Sequence, residues 1–216
     1  MSNGGDSIVV ASRGDSGGVY LFSKNNSTPV WSSSIGSVYS VSISANQEYI
    51  AAEANSEFYL YGRNSSVPLW NYTIESIDSN EDGIGDDSRI NDIAFSKDGS
   101  YIAAASNNDR IYLFNKNESV PIWDFDTEAE GFVASVAISA NGDYIAAGAS
   151  NNIVYLFSKY DPNPAWSNTL GGWAYSVDLS DDGLNLVSGS WDNSIYSFQM
   201  NPDSDNDGVD DIIDEC

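Results

Sequence analysis

The sequence predicts an all-β fold, a β-propeller of four-stranded antiparallel blades with about five repeats and incomplete terminal blades. Three recurring patterns predict it. An apolar segment with tyrosine in its second position returns about every 40 residues, which is the period of a four-stranded blade. A Pro-x-Trp sequence follows this segment, and a short hairpin of alternating residues precedes it.

The tyrosine segment is the first pattern and marks one strand of each repeat. Its five copies occupy residues 19–22, 58–61, 111–114, 154–157 and 195–198. The Pro-x-Trp sequence follows four of them, ending at Trp31, Trp70, Trp123 and Trp166. One interval between copies is longer than the others, and the excess lies in residues 76–89, which are rich in Asp, Asn and Gly. We therefore predict an acidic loop inserted there between two strands.

The hairpin is clearest in residues 136–147, where Asn141-Gly142 separates two short apolar segments. Asn-Gly between alternating residues is a strong signal for a tight turn between antiparallel strands. Each repeat therefore contains strand A, a turn, strand B, strand C and a tryptophan-bearing strand D. The alternating pattern places strand A innermost, and the small residues of strand B, such as those at 103–105, predict close approach of neighbouring blades.

The strand count leaves both ends of the propeller incomplete. The chain begins with strands B, C and D (Ile8 to Ser34), continues through three complete blades, and ends with strands A, B and C (Ala174 to Gln199). These end strands do not complement one another, so one shared blade cannot close the ring. Three arrangements are open: five blades of which two have three strands, a fragment of a longer propeller, or an open array completed by another copy. We assign residues 7–199 to the propeller.

Residues 175–183 and 186–195 closely resemble a WD40 repeat, and the resemblance extends over the whole propeller region. The Gly-His and closing Trp-Asp pairs of that family are missing here. The Pro-x-Trp strands also resemble the tryptophan-docking repeats of quinoprotein-like propellers. The first resemblance implies a protein-binding or scaffolding role. The second implies, as an alternative, a fragment of a quinone-dependent (PQQ-like) dehydrogenase.

Residues 201–216 have the spacing of a calcium-binding loop. Carboxylates stand at the first, third, fifth, ninth and twelfth positions, and Gly208 provides the sharp turn at the sixth. The predicted ligands are Asp203, Asp205, Asp207, Asp211, Asp214 and the carbonyl oxygen of Val209. So many hard oxygen ligands favour Ca²⁺. An acidic solvated tail is the alternative.

The same segment resembles the start of a thrombospondin type 3 repeat, in which such loops end in a disulfide-forming cysteine, here Cys216. The inserted loop carries the first part of the same pattern. Its predicted calcium ligands are Asp78, Asn80, Asp82 and Asp86. Arg89 stands at the twelfth position, where an acid belongs, so we expect weaker binding there. A solvated loop is the alternative.

The charge of the chain argues against two classes of partner. A formal net charge of −24 repels phosphate backbones and anionic lipid headgroups, so nucleic acid and membrane surfaces are poor partners. No apolar stretch is long enough to span a bilayer, and the polar N-terminus lacks the features of a secretion signal. We therefore expect a soluble chain with no membrane insertion.

The sequence offers little for catalysis. It contains no histidine and only one cysteine, and acid pairs such as Asp124 and Asp126 are ordinary on an acidic surface. Acids that recur after strand B, at Asp15, Asp109 and Asp192, are expected to hold turns. We predict a calcium-binding, extracellular or cell-surface propeller, not an enzyme, that binds a protein or glycan through its blade loops. A self-assembling structural repeat protein, associating through its incomplete terminal blades, is a further alternative.

Overall fold

The computed structural model describes residues 4–75, 88–129 and 131–200, and these ranges contain eighteen β-strands and no helix. The strands form five antiparallel sheets, which we call blades 1 to 5 in chain order. In this described part of the chain, there is accordingly no helix with the length and apolarity needed to cross a membrane.

The strands follow chain order within every blade. Blade 1 contains β1 (Ser7–Ser12), β2 (Gly18–Ser23) and β3 (Trp31–Ser34). Blade 2 contains β4 (Val38–Ile43), β5 (Tyr49–Ala54), β6 (Glu57–Gly62) and β7 (Pro68–Thr73). Blade 3 contains β8 (Ile90–Phe95), β9 (Tyr101–Ser106), β10 (Arg110–Asn115) and β11 (Pro121–Asp126). Blade 4 contains β12 (Val133–Ile138), β13 (Tyr144–Ala149), β14 (Ile153–Ser158) and β15 (Pro164–Thr169). Blade 5 contains β16 (Ala174–Leu179), β17 (Asn185–Ser190) and β18 (Ile195–Gln199).

The predicted strand count is confirmed. Blade 1 has strands B, C and D, blade 5 has strands A, B and C, and three blades are complete. Across the described residues the five sheets are not closed into a ring, so the structure shows five blades of which two have three strands. Most of the predicted insertion (76–87) and the whole acidic segment 201–216 lie outside the described residues.

A repeated serine turn forms each hairpin between strands A and B. In blade 4 the Ser139 hydroxyl accepts a hydrogen bond from Tyr144 N at 3.0 Å and donates one to Asn141 Oδ1 at 2.9 Å. Gly142 has a φ of +77°, a conformation that costs glycine little. The same serine and Asn or Asp side chains recur in the other A–B turns, at Ser44 and Asn46, Ser96 and Asp98, and Ser180 and Asp182. These turns fix the register in which the apolar side chains of strands A and B face the neighbouring blades.

The core lies between the blades. Strands A of consecutive blades are neighbours, which places them innermost as predicted. Four clusters of buried side chains fill the four junctions between consecutive blades. The alanines of strand B, such as Ala103, Ala104 and Ala105, are fully buried there because a small side chain lets two sheets approach closely. The prediction of close-packed blades from these alanines is confirmed.

Three of the four strand D tryptophans tie their blade to the next one through a hydrogen bond. The indole N–H donates a hydrogen bond to the backbone carbonyl of the residue that directly follows strand C in the next blade. The bonds join Trp31 to Arg63 at 2.7 Å, Trp70 to Lys116 at 2.8 Å, and Trp123 to Lys159 at 3.0 Å. The Pro-x-Trp pattern therefore has a structural role, since each ring fills the junction and satisfies a carbonyl there.

Candidate interaction surface

The ten predicted calcium ligands all lie outside the described residues, since Asp78 to Asp86 and Asp203 to Asp214 fall in segments 76–87 and 201–216. Among the residues that the structure does describe, no group of three or more potential metal-ligating side chains is close enough to hold an ion. The calcium sites therefore stay predictions from the sequence.

A different surface gathers functional side chains at one end of the blades, which we call the mouth. Here strands A begin and strands B turn into strands C. In blades 3, 4 and 5 a backbone hydrogen bond joins the B–C turn to the residue before strand A, from Asn107 N to Arg89 O at 2.9 Å, from Ser150 N to Phe132 O at 3.0 Å and from Trp191 N to Trp173 O at 2.9 Å. In these three blades, the residue before strand A is therefore held beside the B–C turn of its own blade.

A β-bulge shapes the mouth in every blade that has a strand A. The pairing of strand A with strand B shifts across its second residue, and a bulge of this kind re-aims the side chain at that position. The four second residues are Tyr39, Asn91, Ala134 and Tyr175. The four residues that precede strand A are Ser37, Arg89, Phe132 and Trp173. The side chains at these two positions of the mouth therefore differ from blade to blade.

Four of the aromatic side chains at the mouth form one contact group, the aromatic mouth cluster, composed of Phe132, Trp173, Tyr175 and Trp191. The ring centroids of Phe132 and Trp173 are 5.5 Å apart, and their planes meet at 85°. The centroids of Trp173 and Trp191 are 4.3 Å apart at 73°, and those of Tyr175 and Trp191 are 6.1 Å apart at 72°. All three contacts are edge-to-face, the arrangement that the ring quadrupoles favour.

The aromatic mouth cluster is exposed to an unusual degree. Tyr175 and Trp191 are each 61% exposed and Trp173 is 37% exposed, whereas Trp123 in a blade junction is 7% exposed. A single exposed aromatic side chain is ordinary, but several that form one contiguous exposed patch often mark an interaction site. The cluster is therefore the candidate binding surface.

Three open clefts surround the cluster. One, of about 420 Å³, is lined by Asn152, Gly171, Gly172, Trp173, Trp191 and Asp192. A second, of about 320 Å³, is lined by Tyr175, Ser190 and Trp191. A third, of about 440 Å³, is lined by Arg89, Asn91, Asn107, Phe132, Ala134 and Tyr175. Trp191 thus forms a wall shared by the first two clefts. Polar side chains also line both of them, Asn152 and Asp192 in the first and Ser190 in the second.

Asp192 supplies the negative charge of the 420 Å³ cleft that Trp173 and Trp191 line. Its Oδ2 accepts a hydrogen bond from the Tyr196 hydroxyl at 2.6 Å, and its Oδ1 accepts one from Ser194 N at 2.9 Å. The Tyr196 hydrogen bond is the main cause that lowers the pKa of Asp192, because it stabilises the carboxylate form. The side chain therefore stays ionised at neutral pH.

The part of the mouth around Tyr39 has a different character. The guanidinium carbons of Arg13 and Arg89 lie 4.6 and 5.0 Å from the centroid of the Tyr39 ring. Such distances are within the range of a cation–π contact. The mouth thus combines a basic side around Tyr39 with an aromatic and acidic side around Trp191.

The recurring acids after strand B hold turns, as predicted, in two of three cases. Asp109 Oδ1 accepts a hydrogen bond from Gly131 N at 2.9 Å, and Asp192 holds its own turn through Ser194. Asp15 is exposed, and nothing in the structure explains its recurrence. The acid pair Asp124 and Asp126 is engaged by the guanidinium group of Arg110, which gives it a structural role.

The sequence reasoning missed the aromatic mouth cluster. A usable signal was present, since Trp173 and Trp191 are the two tryptophans that do not follow a proline by two residues. A tryptophan outside the repeat pattern has no place in a blade junction. That signal could have directed attention to the loops of blade 5.

A protein-family model matches the sequence. Its description is WD domain, G-beta repeat, and it matches residues 80–115, 119–158 and 167–199, which together make up about half of the chain. The chain belongs to the WD40 repeat family. WD40 repeats suggest a protein-interaction or scaffold β-propeller, and proteins that carry them are generally non-enzymatic scaffolds. No curated protein matches the sequence of this chain.

Proposed function

We propose that this WD40 chain is a binding module that holds a partner protein on the aromatic mouth cluster. The observation that carries the proposal is the exposure of Trp173, Tyr175 and Trp191 beside two clefts at one end of the blades. Tryptophan and tyrosine are enriched among the residues that dominate binding energy, because they bury a large area with few rotatable bonds.

The arrangement supports binding rather than catalysis. A protein partner needs apolar anchors with polar groups around them, and the cluster provides both, since Asn152 and Asp192 line the cleft beside the tryptophans. The chain has no histidine, and the acid pair Asp124 and Asp126 is occupied by Arg110. Within residues 4–75, 88–129 and 131–200, no side chain stands out as a group for general acid–base or nucleophilic chemistry.

Selection of peptides tests the proposal. A random peptide library displayed on phage is selected against the full chain, and the enriched peptides are synthesised and titrated against the wild type, Trp191→Ala and Tyr160→Ala. Tyr160 is a matched control, because it is aromatic and 79% exposed but lies in the turn after β14, at the opposite end of its blade.

We expect Trp191→Ala to weaken binding of the enriched peptides at least tenfold and Tyr160→Ala to leave it unchanged. Loss of a buried tryptophan anchor typically costs 2 kcal/mol or more, roughly a thirtyfold change in affinity. Equal binding by the wild type and Trp191→Ala would place the interaction elsewhere and overturn the proposal. If no peptide is enriched and glycans bind to the same side chains, the ligand is a glycan instead of a protein.

We further propose that the acidic segments bind Ca²⁺ and that the protein acts outside the cell or at its surface. The support is the loop spacing at Asp203 to Asp214 and its resemblance to a thrombospondin type 3 repeat, with a second, weaker loop at Asp78 to Asp86. Calcium in such loops would rigidify the segments next to blades 3 and 5. Protease treatment of intact cells that carry the tagged protein tests the location, since only a surface protein is cleaved.

Calorimetric titration with CaCl₂ tests the metal proposal. We expect heat of binding from the wild-type chain and a reduced signal from the double variant Asp203→Ala, Asp207→Ala. Binding that remains in the double variant belongs to the loop at Asp78 to Asp86. The absence of any heat from the wild type, together with no change in the double variant, would refute calcium binding.

Self-association is a second candidate, favoured by the outer face of blade 5. Val187 and Ile195 are 41% and 85% exposed, although the corresponding residues of blade 3, Ala103 and Ile111, are fully buried against the next blade. Light scattering over a range of concentrations gives the molar mass. Assembly that Ile195→Asp abolishes would support this candidate, and a monomer at every concentration would exclude it.

A further inference from the structure

We propose that the corner between Trp173 and Trp191 binds an organic cation, the ammonium or guanidinium group of a lysine or arginine side chain in a basic segment of the partner. The inference deepens the proposed function and rests on it for the identity of the partner. Ring geometry, the carboxylate of Asp192 and the charge of the chain each point to this chemistry.

The two indole rings form a corner rather than a platform. Their planes meet at 73° with the centroids 4.3 Å apart, and the Tyr175 ring stands at 72° to Trp191 on its other cleft. A sugar ring stacks best on one flat aromatic face. Several aromatic walls at steep angles instead surround a compact group, and the negative faces of the rings attract a positive charge within about 6 Å.

Asp192 completes the corner with a formal negative charge. Its carboxylate lines the same cleft as the two tryptophans, and each oxygen accepts one hydrogen bond within the turn, at 2.6 and 2.9 Å. A carboxylate oxygen has two lone pairs, so both oxygens can accept a further bond from an ammonium or guanidinium N–H. The charge is held in place rather than free to swing away.

Gly171 keeps the carboxylate in this position. A Cβ atom at Gly171 would lie 2.3 Å from Asp192 Oδ2, so any other residue there would displace the carboxylate. A Cβ at the adjacent Gly172 would lie 2.8 Å from Asp192 N. The two glycines thus allow the acidic turn to approach the strand that begins beside Trp173.

The charge of the surroundings favours a cation as well. Among the described residues, those that line this cleft include no lysine or arginine, and the chain as a whole carries a formal charge of −24. A field of that sign raises the local concentration of cations and repels anionic ligands. Arg13 and Arg89 both contact Tyr39, and Arg89 lines the cleft beside Phe132 and Tyr175, which Trp173, Trp191 and Asp192 do not line.

A pair of isosteric probes separates charge from shape. Choline and 3,3-dimethylbutan-1-ol have nearly the same shape, but only choline is positively charged. Each is titrated into the full ¹⁵N-labelled chain while the indole N–H resonances are followed by NMR, with Trp173 and Trp191 assigned from single Phe variants. Methyl glycosides are titrated in parallel as neutral sugar probes.

We expect choline to shift the Trp173 and Trp191 resonances with saturation, and to bind at least threefold more tightly than the neutral alcohol. Asp192→Asn should reduce the choline preference while leaving binding of the alcohol unchanged, because only the charge is removed. Trp191→Ala should abolish the shift of the Trp173 resonance, and the control Tyr160→Ala should preserve it. The remaining resonances of each variant verify that the fold is intact.

Other outcomes overturn the inference. Equal binding of choline and the alcohol would mean an apolar cleft without cation selectivity, and shifts caused by methyl glycosides but not by choline would mean a sugar site. Either result leaves the proposed function standing if the selected peptides still require Trp191. If choline binds at the corner but the peptides ignore Trp191, the proposed function fails while the cation site remains.

Discussion

The indole hydrogen bonds between blades should be measurable as stability, and Trp70→Phe is the clearest test. The substitution keeps an aromatic ring beside Phe58 and Phe114 but removes the donor to Lys116 O at 2.8 Å. A net hydrogen bond contributes about 1 kcal/mol. The smaller ring loses roughly 40 Å² of buried apolar area, about 1 kcal/mol more. We therefore expect Trp70→Phe to lower the free energy of unfolding by about 2 kcal/mol.

Trp166→Phe is the matched control for ring size. Trp166 packs against Phe198 with the centroids 4.8 Å apart, and within the described residues its indole N–H has no hydrogen-bond acceptor. Replacing Trp166 by Phe should therefore lower the free energy of unfolding only by the loss of buried apolar area, about 1 kcal/mol. Trp31→Phe and Trp123→Phe, which lose bonds of 2.7 and 3.0 Å, should behave like Trp70→Phe.

Urea unfolding followed by circular dichroism, together with calorimetric melting, provides the comparison. A difference of about 1 kcal/mol between Trp70→Phe and Trp166→Phe corresponds to about 2–4 °C in Tm for a chain of this size. If the two variants are destabilised equally, the indole bonds contribute nothing net. The Pro-x-Trp repeat would then be explained by ring packing alone.

Three further predictions concern a turn, a buried hydroxyl and the mouth. Gly142→Ala should lower the free energy of unfolding by about 3 kcal/mol, because its φ is +77° and a Cβ there would lie 2.5 Å from Tyr101. Gly5→Ala, with a φ of +67° and open space around the position, should lower it by only about 1 kcal/mol. Urea unfolding of both variants measures the difference. Burial raises the pKa of Tyr112 to about 12, above the unfolded value near 10. The stability linked to this group is present below about pH 10 and is lost as the pH rises through about 12, so Tyr112→Phe should flatten the fall in unfolding free energy over that range. Trp191→Ala should lower the unfolding free energy by about 2 kcal/mol or less, because the side chain is 61% exposed and buries only roughly 80 Å² against Trp173 and Tyr175, and a loss of about 4 kcal/mol or more would mean that the ring supports the fold rather than a ligand.

The strands were predictable because their determinants are local and are repeated. Alternation in strand A, the Asn141-Gly142 turn and the tyrosine segment of strand C each follow from steric preferences within a few residues, and repetition made the pattern unmistakable. Even the incomplete end blades could be counted from the sequence. The small residues of strand B predicted close blades for the same reason, since only small side chains permit close approach.

The candidate site was not predictable in the same way. Phe132, Trp173 and Trp191 come from two different loops before strand A and one turn between strands B and C, and nothing local links them. The contact of Tyr175 with Trp191 depends on the bulge in strand A, which re-aims the Tyr175 side chain, and the contact of Trp191 with Trp173 depends on the backbone bond from Trp191 N to Trp173 O. These features arise only when the sheets have paired.

The sequence by itself determined the repeat, the strand order, the turn chemistry and the tryptophans that join the blades, because each depends on short-range sterics and on the alternation of apolar side chains. The tertiary structure decided which exposed side chains meet. It brought four aromatic rings and one ionised carboxylate together at the mouth, since the stacking of blades 4 and 5 sets the distance between loops that are remote in sequence.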